Sequence, residues 1–347
     1  MEEFFRAHEI ASAFYRRQLR ESRKSWAAHH LVGRQLGAAL ASDSTWSVGF
    51  APDRWSRLVE HLRAAGIDDQ TIVEAGLAKP TRTGFLVDRF RDRLTFVAHD
   101  IDLRPVGFVA RARAAEPKYL NSPNTQIYTK GRSLVGLDAQ QARLAGGAVP
   151  VMVEGPTDAL AVSLLGSEWA GASACGTAIT HHQAAIVRRW TTGDTVIMML
   201  DADQAGRRGA VRGLDALSRH FSSVLVAELP DGHDPSSTFS TSPSLLRATL
   251  AHARPGAEFA IDVELARWAN VLDHVSGQVE ALRSVAPLVV RLPNDRIAGQ
   301  IGRLAQRLRL EERVVSREVL AAVGRRPKIG ASHDDLDAGP DLNSRSP

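Results

Sequence analysis

The middle of the chain alternates short apolar runs with segments of helical spacing. The run Val149–Val153 ends at Glu154, and residues 157–165 then repeat apolar positions every three or four residues, as an amphipathic helix does. Two further apolar runs, 196–200 and 224–228, are separated by another segment of helical pattern. This alternation predicts a parallel sheet covered by helices on both faces, in which ligands bind at the carboxyl ends of the strands.

The regions on either side of this sheet have different patterns. Residues 1–80 are mostly of helical pattern, with a turn predicted at 49–52, and we assign no chemistry to them. Segments 94–97 and 106–110 are short, alternating and separated by a polar turn, which predicts a β-hairpin. Residues 258–323 return to helical spacing.

The chain has 347 residues, of which 44% are hydrophobic, and is therefore long enough for two or three packed units. We predict an α/β fold, α+β over the whole chain. The predicted parts are an N-terminal mixed α/β basic domain over 1–135, a parallel-sheet domain over 136–250, a helical domain over 251–323 and a disordered tail over 324–347.

Charge is distributed unevenly, although the net charge is only +4. Residues 81–135 carry ten Lys or Arg against five Asp or Glu, whereas residues 150–236 carry ten acids against six arginines. A basic surface beside an acidic pocket suits a polyanionic substrate and a divalent metal. Two solvated faces would give the same distribution, so this alternative stays open at this point.

Cysteine content and apolar run length bear on the cellular compartment. Cys175 is the only cysteine, which excludes an internal disulfide and a cysteine-based zinc site within this chain. The start of the chain lacks a signal-peptide pattern, and its apolar runs fall far short of the roughly 20 residues that a membrane span requires. We therefore expect a cytoplasmic protein with no zinc and no membrane partner.

Acidic residues cluster after each of the three apolar runs. The clusters are Glu154 with Asp158, Asp201 with Asp203, and Asp231 with Asp234. Carboxylates brought together at neighbouring strand ends repel one another unless a cation lies between them, and an all-oxygen site suits Mg²⁺ or Mn²⁺. Metal-assisted phosphoryl chemistry is the simplest use of such a site. The structural alternative is that these acids cap helices, which we expect in part for Asp158.

The segments 154–158 (EGPTD) and 200–206 (LDADQAG) resemble the TOPRIM signature shared by primases, topoisomerases and some nucleases. Within that superfamily the chain resembles the bacterial DnaG-type primase in particular. The further motifs that carry this resemblance, in the family's order, are GFAP at 49–52, DRFRDR at 88–93, PKYLNSP at 117–123, KGR at 130–132, GTA at 176–178 and LPDGHDP at 229–235. The resemblance covers roughly residues 10–320, the RNA polymerase core of such a primase.

The resemblance implies a polymerase that builds short RNA primers on single-stranded DNA from ribonucleoside triphosphates, by metal-assisted nucleotidyl transfer. It implies that the catalytic acids Glu154, Asp201 and Asp203 hold the divalent metals, with Asp158 and Asp234 as supporting ligands. It also implies a basic ridge that binds template and nucleotide. The residues that match this ridge are Arg93, Arg111, Lys118, Tyr119, Asn121 and Lys130.

The chain departs from the family's pattern in three respects. The family's zinc-binding and helicase-binding domains are not expected in this chain, so a zinc-bearing or helicase partner would be a separate polypeptide. The family's acid two places after Asp234 is Ser236 here, which removes one possible metal ligand. The alternative functions are a TOPRIM-type DNA nuclease that uses the same site, and a non-catalytic single-strand-binding replication accessory.

Overall fold

The computed structural model describes residues 1–176, 178–199 and 204–324 of the chain. This part divides into a compact unit, Met1–Phe259, and a second unit that begins at Ala260. The division predicted near residues 135 and 250 stays a prediction, and residues 325–347 of the predicted tail lie outside the described residues. None of the described helices is long and apolar enough to cross a membrane.

The elements of the described residues, in chain order, are as follows. The helices are α1 Glu2–Glu21, α2 Trp26–Gly33, α3 Arg57–Ala64, α4 Asp69–Glu74, α5 Gln141–Ala145, α6 Pro156–Leu165, α7 His181–Trp190, α8 Gln204–Ser218, α9 Pro235–Thr241, α10 Pro243–Ala251, α11 Gly256–Arg267, α12 Val275–Val289, α13 Asn294–Leu308 and α14 Glu312–Gly324. The strands are β1 Val48–Ala51, β2 Ala78–Pro80, β3 Leu86–Asp88, β4 Arg93–His99, β5 Pro105–Ala112, β6 Tyr119–Asn121, β7 Val149–Val153, β8 Trp169–Ser173, β9 Thr195–Met199, β10 Ser223–Ala227 and β11 Arg254–Pro255.

An antiparallel sheet in the order β1-β4-β5-β6 forms the core of the N-terminal part of the first unit. The predicted hairpin is confirmed as β4 and β5, which pair antiparallel along almost their whole length. The turn predicted at 49–52 is wrong, because Val48–Ala51 is a strand paired with β4. Gly49 serves close packing instead, since a Cβ at this position would lie 2.5 Å from the Cβ of Tyr15 on α1.

The parallel sheet predicted from the apolar runs is confirmed. Its strand order is β11-β10-β9-β7-β8, with β7 parallel to both β8 and β9, and β9 parallel to β10. The three strands predicted to deliver acids, β7, β9 and β10, are therefore direct neighbours, and their carboxyl ends lie at one edge of the sheet.

The structure adds an edge strand, β8, that the apolar pattern does not predict. It is short and rich in small residues, and Gly171 lets it approach α6 so closely that a Cβ there would lie 2.2 Å from the carbonyl oxygen of Ala159.

The helical pattern predicted for residues 258–323 is confirmed by α11 to α14. In the second unit, α12, α13 and α14 pack against one another around buried apolar side chains, among them Val285, Leu304 and Val315. Arg303 on α13 donates a hydrogen bond to Asp262 on α11 at 2.9 Å, which ties α11 to this bundle.

Candidate active site

A cavity of about 290 Å³ opens at the carboxyl end of β7, between the parallel and the antiparallel sheets of the first unit. We call it the primary cavity. Its described lining includes residues from both the acidic and the basic predictions, namely Arg111, Lys118, Tyr119, Glu154, Asp158 and Asp234. The structure therefore brings into one space two groups of opposite charge that lie far apart in the sequence.

Glu154 enters the cavity from the loop that joins β7 to α6. The loop is short because Gly155 is the N-cap of α6 and Pro156, whose fixed φ favours a helix start, follows it. The Ser173 hydroxyl at the end of β8 donates a hydrogen bond to the backbone carbonyl of Glu154 at 2.7 Å. Two neighbouring strands thus fix the backbone that carries this carboxylate.

Asp158 lies in the first turn of α6 and is only 7% exposed. Its Oδ1 accepts a hydrogen bond from the backbone N–H of Ser236 at 3.0 Å, so it satisfies a donor at the start of α9. A Cβ on Gly155 would lie 2.5 Å from Asp158 Oδ2, so the glycine leaves the space that this carboxylate occupies. Asp158 is thus not an N-cap, because Gly155 is the N-cap of α6 and Asp234 that of α9; its carboxylate instead accepts a backbone donor of the first turn of α9.

Asp234 is the N-cap of α9, and its carboxylate accepts from the backbone N–H of Ser237 at 2.6 Å. Arg34 at the end of α2 lies 3.6 Å from the same carboxylate and donates to the Ser236 hydroxyl at 3.2 Å. A guanidinium and a neutral hydroxyl therefore occupy this side of the cavity, where the family resemblance implies a further acid. Asp231, in the same loop, is exposed.

Asp201 and Asp203, which the sequence predicts as catalytic acids, lie outside the described residues. The strand before them, β9, ends at Met199 beside β7, with Met152 opposite Met198 in the register. The chain therefore leaves β9 at the level of Val153, one residue before Glu154.

Carboxylate oxygens are the donors that Mg²⁺ and Mn²⁺ prefer, and Glu154, Asp158 and Asp234 all line the primary cavity. Across residues 1–176, 178–199 and 204–324, however, no three His, Cys, Asp or Glu residues form a group that could hold a metal ion. The donor chemistry fits the predicted metals, and a metal centre here needs ligands beyond those that the structure describes.

Three residues of the predicted basic ridge also line the cavity. Arg111 is on β5, and Lys118 and Tyr119 lie at the start of β6. The Tyr119 hydroxyl lies 3.1 Å from Thr157 Oγ1, which links β6 to the first turn of α6. Burial raises the pKa of Tyr119 to about 12, so its phenol stays protonated at neutral pH.

The other predicted ridge residues lie outside the described lining of the cavity. Arg93 is 8% exposed and donates to the backbone carbonyls of Ala110 and Pro117, so it holds the backbone beside Lys118. Asn121 ends β6 opposite Val109. Lys130 lies beside the lining residue Gly176, since its Nζ is 3.3 Å from the position that a Cβ on Gly176 would take.

Sequence reasoning missed the residues that α2 contributes. His30 and Arg34 line the primary cavity, although the sequence pattern assigns no chemistry to residues 1–80. Burial and the nearby charges of Arg111, Arg34 and Lys118 lower the pKa of His30 to about 4, so its imidazole is neutral at physiological pH. The motifs that carry the family resemblance begin only at residue 49, so none of them covers α2.

Cys175 also lines the cavity, in a left-handed backbone conformation with φ of 55°. Burial raises the pKa of its thiol to about 11, which keeps it protonated and a poor nucleophile at neutral pH. Cys175 is therefore part of the cavity lining, and we assign it no nucleophilic chemistry.

Two family models match the chain. One describes the N-terminal domain of the DNA primase catalytic core and matches residues 14–141, and the other describes Toprim-like domains and matches residues 151–239. The DNA primase of Mycobacterium tuberculosis is 34% identical over 307 residues, which are 86% of this chain and 47% of that protein. The DNA primase of Streptomyces coelicolor is 33% identical over 311 residues, or 85% of this chain and 48% of that protein. The chain thus spans about half the length of these relatives.

Solved structures resemble the chain over most of their length. The RNA polymerase domain of M. tuberculosis primase DnaG, in complex with a double-stranded DNA oligomer with a 6-nucleotide overhang, matches with a TM-score of 0.70 and 31% identity. That match covers 89% of this chain and 98% of the solved one. A DnaG primase catalytic domain bound to single-stranded DNA matches with a TM-score of 0.72 and 26% identity, over 90% of this chain and 98% of that one.

Proposed function

Because the chain belongs to the family of bacterial DnaG-type DNA primases, in which it corresponds to the RNA polymerase domain, we propose that it synthesises short RNA primers from ribonucleoside triphosphates on single-stranded DNA. The observation that carries the proposal is the primary cavity, whose lining brings Glu154 and Asp158 together with Arg111 and Lys118. A nucleotidyl transferase needs this combination, since cations bind the triphosphate while carboxylates hold the metals that assist its reaction.

In this proposal Glu154, Asp201 and Asp203 hold Mg²⁺ or Mn²⁺, and Asp158 and Asp234 support them. A bound divalent ion would lower the pKa of the primer 3′-hydroxyl and stabilise the negative charge of the pyrophosphate that leaves. The fixed backbone at Glu154, tied to β7, β8 and α6, keeps its carboxylate in place before substrate arrives. This preorganisation supports a catalytic role for Glu154.

The basic wall supplies binding and orientation. Arg111 and Lys118 would bind phosphate oxygens, and the Tyr119 ring, held through its hydroxyl by Thr157, would contact a base or ribose. Buried Arg93 positions the backbone beside Lys118 through its bonds to two carbonyls. Lys130 would add a cation beside Gly176 of the cavity lining, and Asn121, at the end of β6, would belong to the same template- and nucleotide-binding ridge.

One observation favours the alternative of a single-strand-binding accessory. Ser236 is 2% exposed and its hydroxyl accepts from Arg34, so it offers no charged ligand where the family resemblance implies one. The nuclease alternative uses the same carboxylates on a DNA phosphodiester. Neither alternative predicts the synthesis of RNA from ribonucleotides that a primase performs.

Incubation of the protein with single-stranded DNA, labelled ribonucleotides and Mg²⁺ or Mn²⁺ separates the three functions. A primase yields labelled RNA, a nuclease shortens the DNA, and an accessory binds the DNA unchanged. Glu154→Gln should abolish RNA synthesis and keep the fold. Glu168→Gln, which removes an exposed carboxylate paired with Arg247, is the matched control and should retain RNA synthesis. RNA synthesis by Glu154→Gln at the parent's rate would contradict the proposal.

A further inference from the structure

A second cavity, of about 540 Å³, lies at the other end of β5 from the primary cavity. Pro105, the first residue of β5, lines this cavity, whereas Arg111, six residues further on, lines the primary cavity. Because a strand rises about 3.3 Å per residue, the two sites are about 20 Å apart along β5. The second cavity is open to solvent along one face of α1, and we call it the arginine groove.

The lining of the groove is strongly basic. Arg16, Arg17 and Arg20 reach it from one side of α1, and Glu9 is the acid on its described rim. His99, buried at the end of β4, completes the floor and faces Asp138 at 3.3 Å. With three arginines against one glutamate in this lining, the groove carries an excess of positive charge.

Hydrogen bonds to the loop after residue 40 hold two of these arginines. Arg16 donates to the Ser44 carbonyl, and Arg20 donates to the carbonyls of Ala41 and Ser42. A guanidinium has five N–H groups in a planar fork, so each side chain keeps donors for another acceptor after these bonds. Such anchoring reduces the side-chain entropy that a bound anion would otherwise have to overcome.

Arg17 differs from its two neighbours. Its side chain is exposed, and its guanidinium lies 5.9 Å from the ring centre of Phe14. Within the described part of the chain, the side-chain hydrogen bonds from α1 to the loop come from Arg16 and Arg20. Removal of the Arg17 side chain therefore tests the groove with little effect on folding.

We propose that the arginine groove binds the phosphate backbone of a nucleic-acid strand that also occupies the primary cavity. The inference rests on the proposed function, and it adds a second contact site for the same strand. Side chains four residues apart on a helix are about 5–6 Å apart, so Arg16 and Arg20 present a row of cations rather than a cradle for one anion. A row of this kind suits successive phosphates of a chain.

The separation of the two sites makes the proposal quantitative. At the rise of a base-stacked strand, about 3.4 Å per nucleotide, about six nucleotides cover roughly 20 Å, and an extended strand covers this distance with fewer. A dinucleotide can therefore fill only one site at a time, while an oligomer of about twelve nucleotides can reach both. The groove should contribute to the binding of the long oligomer and not to that of the short one or of a nucleoside triphosphate in the cavity.

The test is a binding titration of the full chain with both single-stranded DNA lengths and with ATP, across a salt series. Arg17→Ala, alone and with Arg20→Gln, should weaken binding of the long oligomer by about threefold per arginine, the scale of an exposed ion pair. The slope of log K against log salt should fall by about 0.7 for each phosphate that the variant no longer neutralises. Arg23→Ala removes an exposed arginine outside the groove's described lining and should leave all three affinities unchanged.

Lys118→Ala in the same titrations tests the primary cavity. It should weaken the binding of both oligomers and of ATP. If the parent binds both oligomers and Arg17→Ala leaves the long one unaffected, the groove is refuted while the proposed function stands. If Arg17→Ala weakens the binding of both oligomers equally, the groove proposal is also refuted, because the arginine would then act at the primary cavity. If Arg17→Ala weakens the binding of ATP, the groove binds the phosphates of free nucleotides. That result would overturn the proposal that it binds a nucleic-acid backbone. A parent chain that binds neither oligomer would overturn the proposed function and the groove together.

Discussion

Asp158 combines a structural contact with a proposed role in metal support, and two substitutions separate these roles. Asp158→Ala removes the acceptor for the backbone N–H of Ser236, the second residue of α9. Ser236 is only 2% exposed, so its N–H would be left buried without that acceptor. Asp158→Asn keeps an oxygen that can accept the same bond, but it removes the charge.

The magnitudes follow from these contacts. A hydrogen bond to a charged group contributes about 1.5–3 kcal/mol, so Asp158→Ala should lower the free energy of unfolding by about 2 kcal/mol. Asp158→Asn should cost less than about 1 kcal/mol, since the bond then has a neutral acceptor. Both variants should lose about tenfold to a hundredfold in primer synthesis, the usual effect of removing a group that supports metal ligands.

Urea unfolding and a primer-synthesis assay on the same protein preparations would measure both effects. Asp215→Asn, which neutralises a half-exposed aspartate paired with Arg219, is the matched control and should change neither quantity appreciably. Equal destabilisation by Asn and Ala at position 158 would refute the hydrogen-bond argument. Full activity of Asp158→Asn would restrict the residue to a structural role.

Three further predictions concern other contacts. Lys118→Ala and Lys130→Ala should each weaken the binding of single-stranded DNA or nucleotide, as measured by fluorescence anisotropy. Each should also reduce the slope of log K against log salt for template binding by about 0.7. Binding like that of the parent would show that the basic segment is only a solvated face. Gly155→Ala places a Cβ 2.5 Å from Asp158 Oδ2 and should lower primer synthesis at least about tenfold with an unchanged circular dichroism spectrum; full activity would show that this carboxylate can move without consequence. Burial raises the pKa of Asp88 to about 6, so the folded protein binds a proton more tightly than the unfolded chain, and stability should fall by up to about 3 kcal/mol as pH rises from about 4 to about 6. Asp88→Asn should flatten that dependence in urea titrations at several pH values, and parallel curves for the two proteins would contradict the assignment.

The parallel sheet could be predicted because its strands leave a strong signal. β7, β9 and β10 are apolar runs, and the helices between them leave few arrangements other than a parallel sheet. The adjacency of their carboxyl ends followed from that arrangement. β8 gave no such signal, because the segment Trp169–Ser173 consists largely of small residues that pack against α6.

Two other features could not be predicted because they depend on contacts between distant segments. Gly49 resembles a turn residue in isolation, and only the approach of α1 at Tyr15 explains why the strand needs glycine there. Arg34 meets Ser236 across 202 positions of sequence, and no local pattern on α2 indicates that contact. The basic and acidic charge blocks were visible in the sequence, whereas the cavity that they share required the fold.

The most direct test of the central claim is extension of a labelled RNA primer annealed to single-stranded DNA, with ribonucleoside triphosphates and Mg²⁺ or Mn²⁺ present. We predict a ladder of longer RNA products whose sequence follows the template, dependent on the divalent ion and lost in Asp203→Asn. A primer that stays at its original length under all these conditions, with the DNA either shortened or merely bound, would contradict the claim that this chain is a template-directed RNA polymerase.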